Sequence, residues 1–296
     1  MSFRSGFVTL IGSPNTGKST LLNAFADEKI AITSSRPQTT RNTIKAVVTT
    51  DDYQMIFIDT PGLHKPKTKL GKYMVNAAER TIGDVDVVLF LADAGFKEIS
   101  GDELETIAHL KRVKAPVFLI INKIDLTKKE NLLLKISKFK DLMDFKAIIP
   151  ISALKKEGLN IIMDEILKFL PEGPRFFPED TLTDQPEKLL VAEIIREKIL
   201  YLTKDEVPHG AGIEILSFKQ REDKDIINIE AEIYCEKDSH KGILIGKQGS
   251  MLKNIGAQAR VDIEKLLGSK VFLKLWVKVK PDWRNSEGML KTLGYK

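Results

Sequence analysis

The chain has 296 residues with 46 Lys or Arg and 41 Asp or Glu, so its formal net charge is only +5. Its length favours two domains, and 43% hydrophobic residues suffice for two buried cores. The sequence lacks an apolar run long enough for a transmembrane helix and lacks the pattern of a signal peptide. Its single cysteine, Cys235, argues against a disulfide or a zinc cluster, so we expect a cytoplasmic protein.

Charge is distributed unevenly along the chain. Residues 1–172 carry 25 basic and 21 acidic side chains, and residues 173–236 carry 8 and 15. Residues 237–284 reverse the balance, with 11 basic and 4 acidic side chains. A charge run is usually a solvated surface, so its meaning depends on the motifs inside it.

Apolar runs of strand length recur through the first 170 residues, at 7–11, 55–58, 85–91, 116–121 and 147–151. Periodic, charged segments between them predict helices. This alternation is typical of a mostly parallel sheet with helices on both faces. Residues 43–50 and 53–58 predict a hairpin around Asp51. We therefore predict an α/β domain with a six-stranded sheet and one antiparallel edge strand.

Four prolines fall within residues 171–186, a density that favours an extended linker. We predict a first domain over 1–172, a linker over 173–186, and a smaller α+β domain with a C-terminal tail over 187–296. The patterns of the second domain predict, in order, a helix at 187–202, strands at 212–219 and 228–235, helices within 241–268, and a strand at 270–279.

Residues 12–19 read GSPNTGKS and match the phosphate-binding pattern GxxxxGK[ST] between an apolar strand and an amphipathic segment. In such a loop, glycines let backbone N–H groups face phosphates, Lys18 reaches the β- and γ-phosphates, and the Ser19 hydroxyl ligates Mg²⁺. The alternative is an ordinary glycine-rich turn. The predicted nucleotide contacts in this segment are Gly12, Ser13, Pro14, Asn15, Thr16, Gly17, Lys18, Ser19 and Thr20.

The string NKID at 122–125 follows an apolar strand and indicates guanine. The Asp125 carboxylate can accept hydrogen bonds from guanine N1–H and from its 2-amino group, a donor pair that adenine lacks. The stem of Lys123 can lie along the base, and Asn122 can brace the neighbouring loops. Ligands bind at such strand ends in open α/β sheets.

Two further strings end apolar strands. In DTPG at 59–62, Asp59 can hold Mg²⁺ through water and the Gly62 N–H can contact the γ-phosphate; the alternative for Asp59 is a turn residue. Ser152, Ala153 and Leu154 close the fifth strand, and a backbone N–H there would meet guanine O6.

In order and spacing, GSPNTGKS, DTPG, NKID and SAL resemble the G1, G3, G4 and G5 motifs of the translation-factor-related GTPases. The resemblance implies a G2 threonine within RPQTTRNT, with Thr40 as the Mg²⁺ ligand and Thr39 as the alternative. Where many GTPases carry a water-orienting Gln after the G3 glycine, this chain has Leu63, which implies slow turnover. In related GTPases an Asn at the place of Asn15 helps to bind K⁺; the alternative is that Asn15 only stabilises the loop.

The basic segment contains HKGILIGKQGSMLKNIGAQAR, with GxxG at 246–249. Two glycines let a tight loop between helices approach a single-stranded nucleic-acid backbone, and the next helix contributes its N-terminal dipole. With its basic surroundings, the unit resembles a type II KH domain. The predicted RNA contacts are Lys241, Gly242, Ile245, Gly246, Lys247, Gln248, Gly249, Lys253 and Arg260.

The strand at 270–279 alternates lysines with apolar residues and predicts one basic face that also carries Trp276. On that face Trp276 either stacks on a base or packs on a neighbouring element.

A GTPase domain followed by one KH domain covers nearly the whole chain and resembles the Era family of bacterial GTPases, as do the strings PQTTR and HKGILIGKQG. The resemblance implies Mg²⁺-dependent GTP hydrolysis and binding to the 3′ end region of 16S ribosomal RNA during 30S subunit maturation. It assigns catalytic roles to Lys18, Thr40, Asp59 and Gly62. It also implies a loose peripheral association with the cytoplasmic face of the inner membrane.

We expect a monomer that does not bind DNA and whose GTP-ordered loops gate access of RNA to the KH domain. Two alternatives stay open at this point. One is a non-enzymatic RNA-binding scaffold whose P-loop holds a structural nucleotide, and the other is a membrane-associated GTPase that docks on anionic lipid.

Overall fold

The computed structural model describes residues 2–34, 36, 39–62, 66–95, 98–221 and 225–295. Contacts divide the chain into two compact units. The first unit extends to Asp184, except that Ile32–Arg36 and Pro66–Tyr73 group with the second unit, whose main stretch is Gln185–Lys296. The domain limits at residues 172 and 187 stay a prediction.

Six strands among the described residues form one sheet in the first unit. They are β1 (Arg4–Ile11), β2 (Ile44–Thr49), β3 (Tyr53–Asp59), β4 (Val87–Asp93), β5 (Val117–Asn122) and β6 (Ala147–Pro150). Their order is β2-β3-β1-β4-β5-β6, and β2 pairs antiparallel with β3 while the other neighbours are parallel. The prediction of a mostly parallel sheet with one antiparallel edge is confirmed.

Helices up to residue 184 are α1 (Lys18–Ala26), α2 (Lys69–Arg80), α3 (Gly101–Leu110), α4 (Lys129–Lys140) and α5 (Leu159–Leu167). The sheet has a buried apolar cluster on each face. In β4, Leu89 and Leu91 belong to one cluster while Val88 and Phe90 belong to the other, because side chains alternate along a strand. Burial on both faces accounts for the continuous apolar runs in the sequence.

Residues 173–184, which we name the strap, lack helix and strand and lie along the first unit. The Val47 N–H donates to the Leu182 carbonyl at 2.9 Å. The Gln54 amide donates to the Phe177 carbonyl at 2.9 Å and accepts the Phe176 N–H at 2.7 Å. The proline-rich stretch is therefore fastened to strands β2 and β3.

The second unit contains α6 (Glu187–Leu202), β7 (Gly212–Gln220), β8 (Ile226–Cys235), α7 (Asp238–Ile245), α8 (Ser250–Leu267), β9 (Lys270–Val279) and α9 (Glu287–Thr292). β8 is central, antiparallel to β7 and parallel to β9. Buried residues of α6, α8 and the sheet, such as Ile195, Ile229 and Ile263, form one core. This element order confirms the predicted type II KH arrangement.

Two features are absent from the part of the chain that the structure describes. No helix there combines the length and the apolar character that spanning a bilayer requires. No group of three or more His, Cys, Asp or Glu side chains there is arranged to hold a metal ion.

Candidate functional site

The loops that follow β1, β3, β4, β5 and β6 meet at one edge of the first sheet, because these strands are mutually parallel. The edge brings together GSPNTGKS, DTPG, NKID and SAL with Thr40, the described threonine of RPQTTRNT. Carboxyl ends of parallel strands are where open α/β sheets bind ligands.

The P-loop needs glycine at its two ends. Gly12 has φ 154° and Gly17 has φ 98°, values that favour glycine. A Cβ on Gly17 would lie 2.2 Å from the Asn122 amide nitrogen, and one on Gly12 would lie 2.5 Å from the Leu91 carbonyl. Between them, Asn15 adopts the left-handed region at φ 66°. This conformation alone gives a reason for asparagine, which tolerates it.

Other P-loop residues fix the loop from inside. The Thr16 hydroxyl is buried and donates to the Ser13 carbonyl at 3.0 Å. The Ser13 hydroxyl is buried without a hydrogen-bond partner among the described residues, so its hydrogen-bonding capacity is available to a ligand. Thr20 lies half-buried in the first turn of α1.

The Lys18 ammonium is buried at the centre of the loop. Its Nζ donates to the carbonyls of Gly12 and Ser13 at 2.9 and 3.0 Å. Burial lowers the pKa of Lys18 to about 8, and the Asp59 charge opposes that shift. An anionic phosphate in the loop would favour the charged form of this lysine.

Three oxygen-bearing side chains converge beside Lys18. The Ser19 hydroxyl donates to Asp59 Oδ2 at 2.6 Å, and the Thr40 hydroxyl donates to the same oxygen at 3.2 Å. The two hydroxyl oxygens are 2.8 Å apart. The other carboxylate oxygen, Asp59 Oδ1, is buried and lacks a hydrogen-bond partner among the described residues.

This donor set fits Mg²⁺, which prefers carboxylate and hydroxyl oxygens. Burial raises the pKa of Asp59, while Lys18 and the hydrogen bonds from Ser19 and Thr40 oppose the rise. A cation would favour the ionised carboxylate and use the unpartnered oxygen. The position of the Thr40 hydroxyl favours Thr40 over Thr39 as the threonine ligand.

Gly62 lies against the P-loop, since a Cβ there would come within 3.0 Å of the Pro14 backbone nitrogen. The DTPG glycine and the phosphate loop are therefore neighbours, as the predicted γ-phosphate contact requires. Leu63, the residue from which slow turnover was expected, lies outside the described residues.

The Asn122 side chain joins three loops. Its Nδ2 donates to the Thr16 carbonyl at 2.9 Å, and its Oδ1 accepts the N–H groups of Lys123 and Ala153 at 2.8 and 2.9 Å. The Ser152 N–H donates to the Glu157 carbonyl at 3.2 Å. Two of the three N–H groups of the SAL string are thus engaged within the protein.

The guanine-binding candidates lie together. The Asp125 carboxylate accepts the Ser152 hydroxyl at 2.6 Å, which fixes its orientation. Lys123 has a left-handed backbone at φ 67°, and its Nζ donates to the Asn15 carbonyl at 2.6 Å. Leu154, the last residue of the SAL string, is exposed to solvent over 78% of its surface.

The GxxG loop lies between α7 and α8 in the second unit. Gly246 combines φ 72° with ψ 178°, a conformation essentially restricted to glycine, and a Cβ there would lie 2.7 Å from that of Met251. Gly249 has φ 78° and Gln248 has φ 50°. Lys247 and Gln248 are exposed at the tip of the loop, which lets backbone and side chains meet a ligand.

The other predicted RNA contacts line both helices around the loop. Gly242, Lys253 and Arg260 are exposed, and Lys241 and Ile245 are half-buried. Ile243, which was not among the predicted contacts, is 48% exposed on α7. Its neighbour Leu244 is buried in the same helix.

The exposed face of β9 carries Lys274, Trp276 and Lys278, as the alternation predicted, but the same face of the sheet also carries acidic residues. Lys274 lies 3.7 Å from Glu230, and Lys278 lies 3.5 Å from Glu232. The neighbouring strand β8 therefore supplies carboxylates that the alternation within β9 could not reveal. Trp276 on this face is 41% exposed, and the Lys274 ammonium lies 5.7 Å from its ring centroid.

Comparisons with known proteins agree with both units. Residues 7–123 match the family described as 50S ribosome-binding GTPase, and residues 206–284 match the KH domain family. GTPase Era of Ruminiclostridium cellulolyticum is 62% identical over 296 residues, which cover 100% of this chain and 99% of that protein. GTPase Era of Alkaliphilus metalliredigens is 57% identical over 295 residues, covering 100% of each chain.

Solved structures match over the same length. A crystal structure of an Aquifex aeolicus Era variant bound to GDP and AlF4⁻ matches with a TM-score of 0.95 at 40% identity, covering 99% of each chain. A structure of Era in complex with MgGDPNP and nucleotides 1506–1542 of 16S ribosomal RNA matches with the same score, identity and coverage. With this identity over its whole length, the chain belongs to the Era family of GTPases.

Proposed function

We propose that this protein is a Mg²⁺-dependent GTP-hydrolysing switch that binds 16S ribosomal RNA through its KH domain and assists maturation of the 30S subunit. The observation that carries the nucleotide half is the convergence of Ser19, Thr40 and Asp59 next to the buried ammonium of Lys18. The observation that supports the RNA half is the exposed GxxG loop in a KH fold.

Each residue of the site has a role that follows from its place. Lys18 and the P-loop N–H groups bind the phosphates, and Asp125 and Lys123 bind the base. Ser19, Thr40 and Asp59 hold Mg²⁺, which when bound supplies positive charge to the phosphate oxygens. Most of the catalysis of phosphoryl transfer comes from positioning the reacting groups and neutralising their charge. The residues that bind the phosphates and Mg²⁺ provide both effects, and the Gly62 N–H contacts the γ-phosphate.

Phosphate release from GTP tests the enzymatic half. We expect slow release by the wild type and a loss of about a hundredfold or more for Lys18→Ala, since a charge-assisted phosphate contact is removed. Lys129→Ala removes an exposed lysine of α4 and should leave release unchanged. If the wild type releases no phosphate even with ribosomal RNA and K⁺, the non-enzymatic scaffold is the better description.

RNA crosslinking in cells, followed by sequencing, tests the partner. Support for 16S RNA comes from the Era structure solved with nucleotides 1506–1542 of that RNA. The double variant Lys247→Asp and Gln248→Asp should abolish RNA binding and leave GTP hydrolysis intact. A matched control is Lys219→Asp with Gln220→Asp, the same residue pair at the exposed end of β7. Equal loss in both would contradict an RNA site at the loop.

Asn15 is proposed as a K⁺ ligand, so hydrolysis should be faster in K⁺ than in Na⁺ buffer. The left-handed backbone of Asn15 gives a competing structural reason for the residue. The variant Asn15→Gly keeps the backbone conformation and removes the side-chain oxygen. It should abolish the preference for K⁺, and equal turnover of the wild type in both buffers would refute the ligand role.

The switch is proposed to act on RNA access. RNA affinity measured with a non-hydrolysable GTP analogue should therefore differ from that measured with GDP, and RNA should change nucleotide affinity by the same factor. Equal affinities would contradict coupling. Peripheral association with the membrane is a separate proposal, and co-flotation with vesicles containing anionic lipid tests it.

A further inference from the structure

Asp93 ends β4 at the edge that carries the nucleotide loops, although no predicted motif includes it. Its carboxylate is fixed through both oxygens. Oδ1 accepts the Gly95 N–H at 2.8 Å, and Oδ2 accepts the Lys123 ammonium at 2.7 Å. The side chain is 12% exposed, so this ion pair is partly shielded from water and worth more than one on an open surface.

The Lys123 ammonium connects Asp93 with the P-loop. The same Nζ donates to the Asn15 carbonyl at 2.6 Å. The left-handed backbone of Asn15 directs that carbonyl toward the lysine. One side chain of the base-binding loop is therefore held between the end of β4 and the loop that binds phosphates.

The end of β4 is supported from the other side by Lys135 of α4. Its Nζ donates to the Asp93 carbonyl at 2.5 Å and lies 4.0 Å from Glu103, with the lysine side chain only 1% exposed. Burying an ammonium costs free energy unless it is hydrogen-bonded or paired. Its bond to this particular carbonyl fixes the backbone from which the Asp93 carboxylate projects.

We propose that Asp93 is a positioning residue for guanine-nucleotide binding. It acts through Lys123, which it holds in place along the base while the same ammonium anchors the P-loop. The proposal rests on the nucleotide function proposed above. Loss of Asp93 removes an acceptor of Lys123 and loosens the base loop and the phosphate loop together. The positioned loops bind the nucleotide equally in the ground state and in the transition state. Loss of Asp93 should therefore raise the KM for GTP while kcat changes little.

The experiment measures dissociation of a fluorescent GDP analogue from the full chain. Asp93→Ala should accelerate dissociation by about tenfold, the effect of losing one partly shielded charge-assisted hydrogen bond. Asp93→Asn keeps an acceptor oxygen without the charge and should show a smaller acceleration. Asp144→Ala, the same change at a carboxylate that is 93% exposed, should leave the rate unchanged. Unaltered dissociation and KM in both Asp93 variants would overturn the positioning role.

A double-mutant cycle separates action through Lys123 from a general structural effect. In a Lys123→Ala background, Asp93→Ala should change the dissociation rate by less than about twofold, because the partner through which it acts is already gone. The same factor in both backgrounds would overturn the proposal. A wild type that binds no guanine nucleotide would overturn the proposed function as well, whereas normal wild-type binding confines any failure to Asp93.

Discussion

At the scale of single residues, the nucleotide site is an arrangement of side chains that orient one another. Asn122 joins the P-loop to the SAL string, and Ser152 fixes the Asp125 carboxylate. The protein itself therefore fixes the orientation of the Asp125 carboxylate, through the hydrogen bond from Ser152. A preorganised acceptor rejects a base that lacks the matching donors, because the acceptor would be left unpaired.

Asp125→Asn should change the base preference of the protein from guanine to xanthine. Xanthine carries a carbonyl oxygen in place of the 2-amino group, and an amide can donate to it while its oxygen still accepts N1–H. We expect GDP affinity to fall by on the order of 10⁴-fold and XDP affinity to rise. Competition against a fluorescent GDP or XDP analogue measures both, with the exposed Asp144→Asn as control. A variant that weakens both nucleotides equally would contradict base recognition by Asp125.

At the scale of elements, α3 and α4 each bury a charged residue, Glu103 and Lys135. Ser100 and Glu103 form a capping box at the start of α3, with the Ser100 N–H donating to Glu103 at 2.7 Å. The same glutamate lies 4.0 Å from Lys135. α4 thus buries a lysine while Leu133 and Leu134 stay exposed, which reverses the usual sorting of side chains.

Lys135 should make folding stability depend on pH in an unusual direction. Burial lowers the pKa of Lys135 below its ordinary value of 10.5, while Glu103 and Asp93 oppose the shift. Between the lowered pKa and 10.5 the unfolded chain binds more protons than the folded one, so this lysine adds stability as pH rises.

Urea unfolding of the wild type and of Lys135→Met checks this expectation. The stability of the wild type relative to the variant should increase with pH in that window. Lys129→Met, at an exposed position on the same helix, should follow the wild-type curve. Parallel curves for the wild type and Lys135→Met would contradict the expected linkage.

The two glycines of the GxxG loop should respond differently to alanine. Gly246→Ala forces a side chain into a glycine conformation and into Met251, so we expect a loss of about 2–3 kcal/mol in the free energy of unfolding. At Gly249 nothing lies within 4 Å of an added Cβ, so the loss should be about 1 kcal/mol.

Tryptophan fluorescence during urea unfolding measures this difference, because both tryptophans of the chain, Trp276 and Trp283, lie in the second unit. Equal losses for the two variants, or a larger loss at Gly249, would show that the loop backbone relaxes.

The elements were largely predictable because local patterns determine them. The strand at 270–279 was predicted with the bounds that the structure gives. The phosphate, magnesium and base strings were readable because their chemistry needs fixed residue types at fixed spacing. The role of Asp93 could not be predicted, because an aspartate at the end of an apolar strand looks like an ordinary turn residue in the sequence. Only the structure places Lys123 beside it. The charge of the β9 face also depended on a neighbouring strand, which a single-strand pattern does not include.

At the scale of the whole molecule, the net charge of +5 is the sum of acidic and basic stretches that are separated along the chain. This separation bears on the proposed binding of RNA. The basic stretch 237–284 contains the GxxG loop and its exposed lysines, whereas the acidic stretch 173–236 precedes it. Part of the basic charge is already paired within the sheet, as Lys274 and Lys278 show. We therefore expect Lys247 and Lys253, which are exposed at the loop and on α8, to be among the lysines that face RNA phosphates.

RNA affinity should fall with salt in proportion to the phosphates contacted. Each contact to a single strand contributes about 0.7 to the slope of log affinity against log salt concentration. Lys247→Ala should reduce that slope by about this amount, whereas Lys219→Ala on β7 should not change it. Filter binding of a 16S RNA fragment at several KCl concentrations measures the slopes. An unchanged slope for Lys247→Ala would remove that lysine from the RNA contacts.

The strap has a consequence for how this chain can be divided. Leu182 and Thr183 bond to the outer edge of β2, at the Val47 N–H and the Lys45 carbonyl, over 2.9 and 2.6 Å. A fragment cut after residue 172 would leave that edge open to pair with other copies of itself, while one cut after Asp184 would keep it covered. Light scattering should show the shorter fragment aggregating. We therefore expect the fragment that ends at Asp184 to stay dispersed and to be the more useful piece for nucleotide-binding experiments, and equal scattering by both fragments would contradict a protective role of the strap.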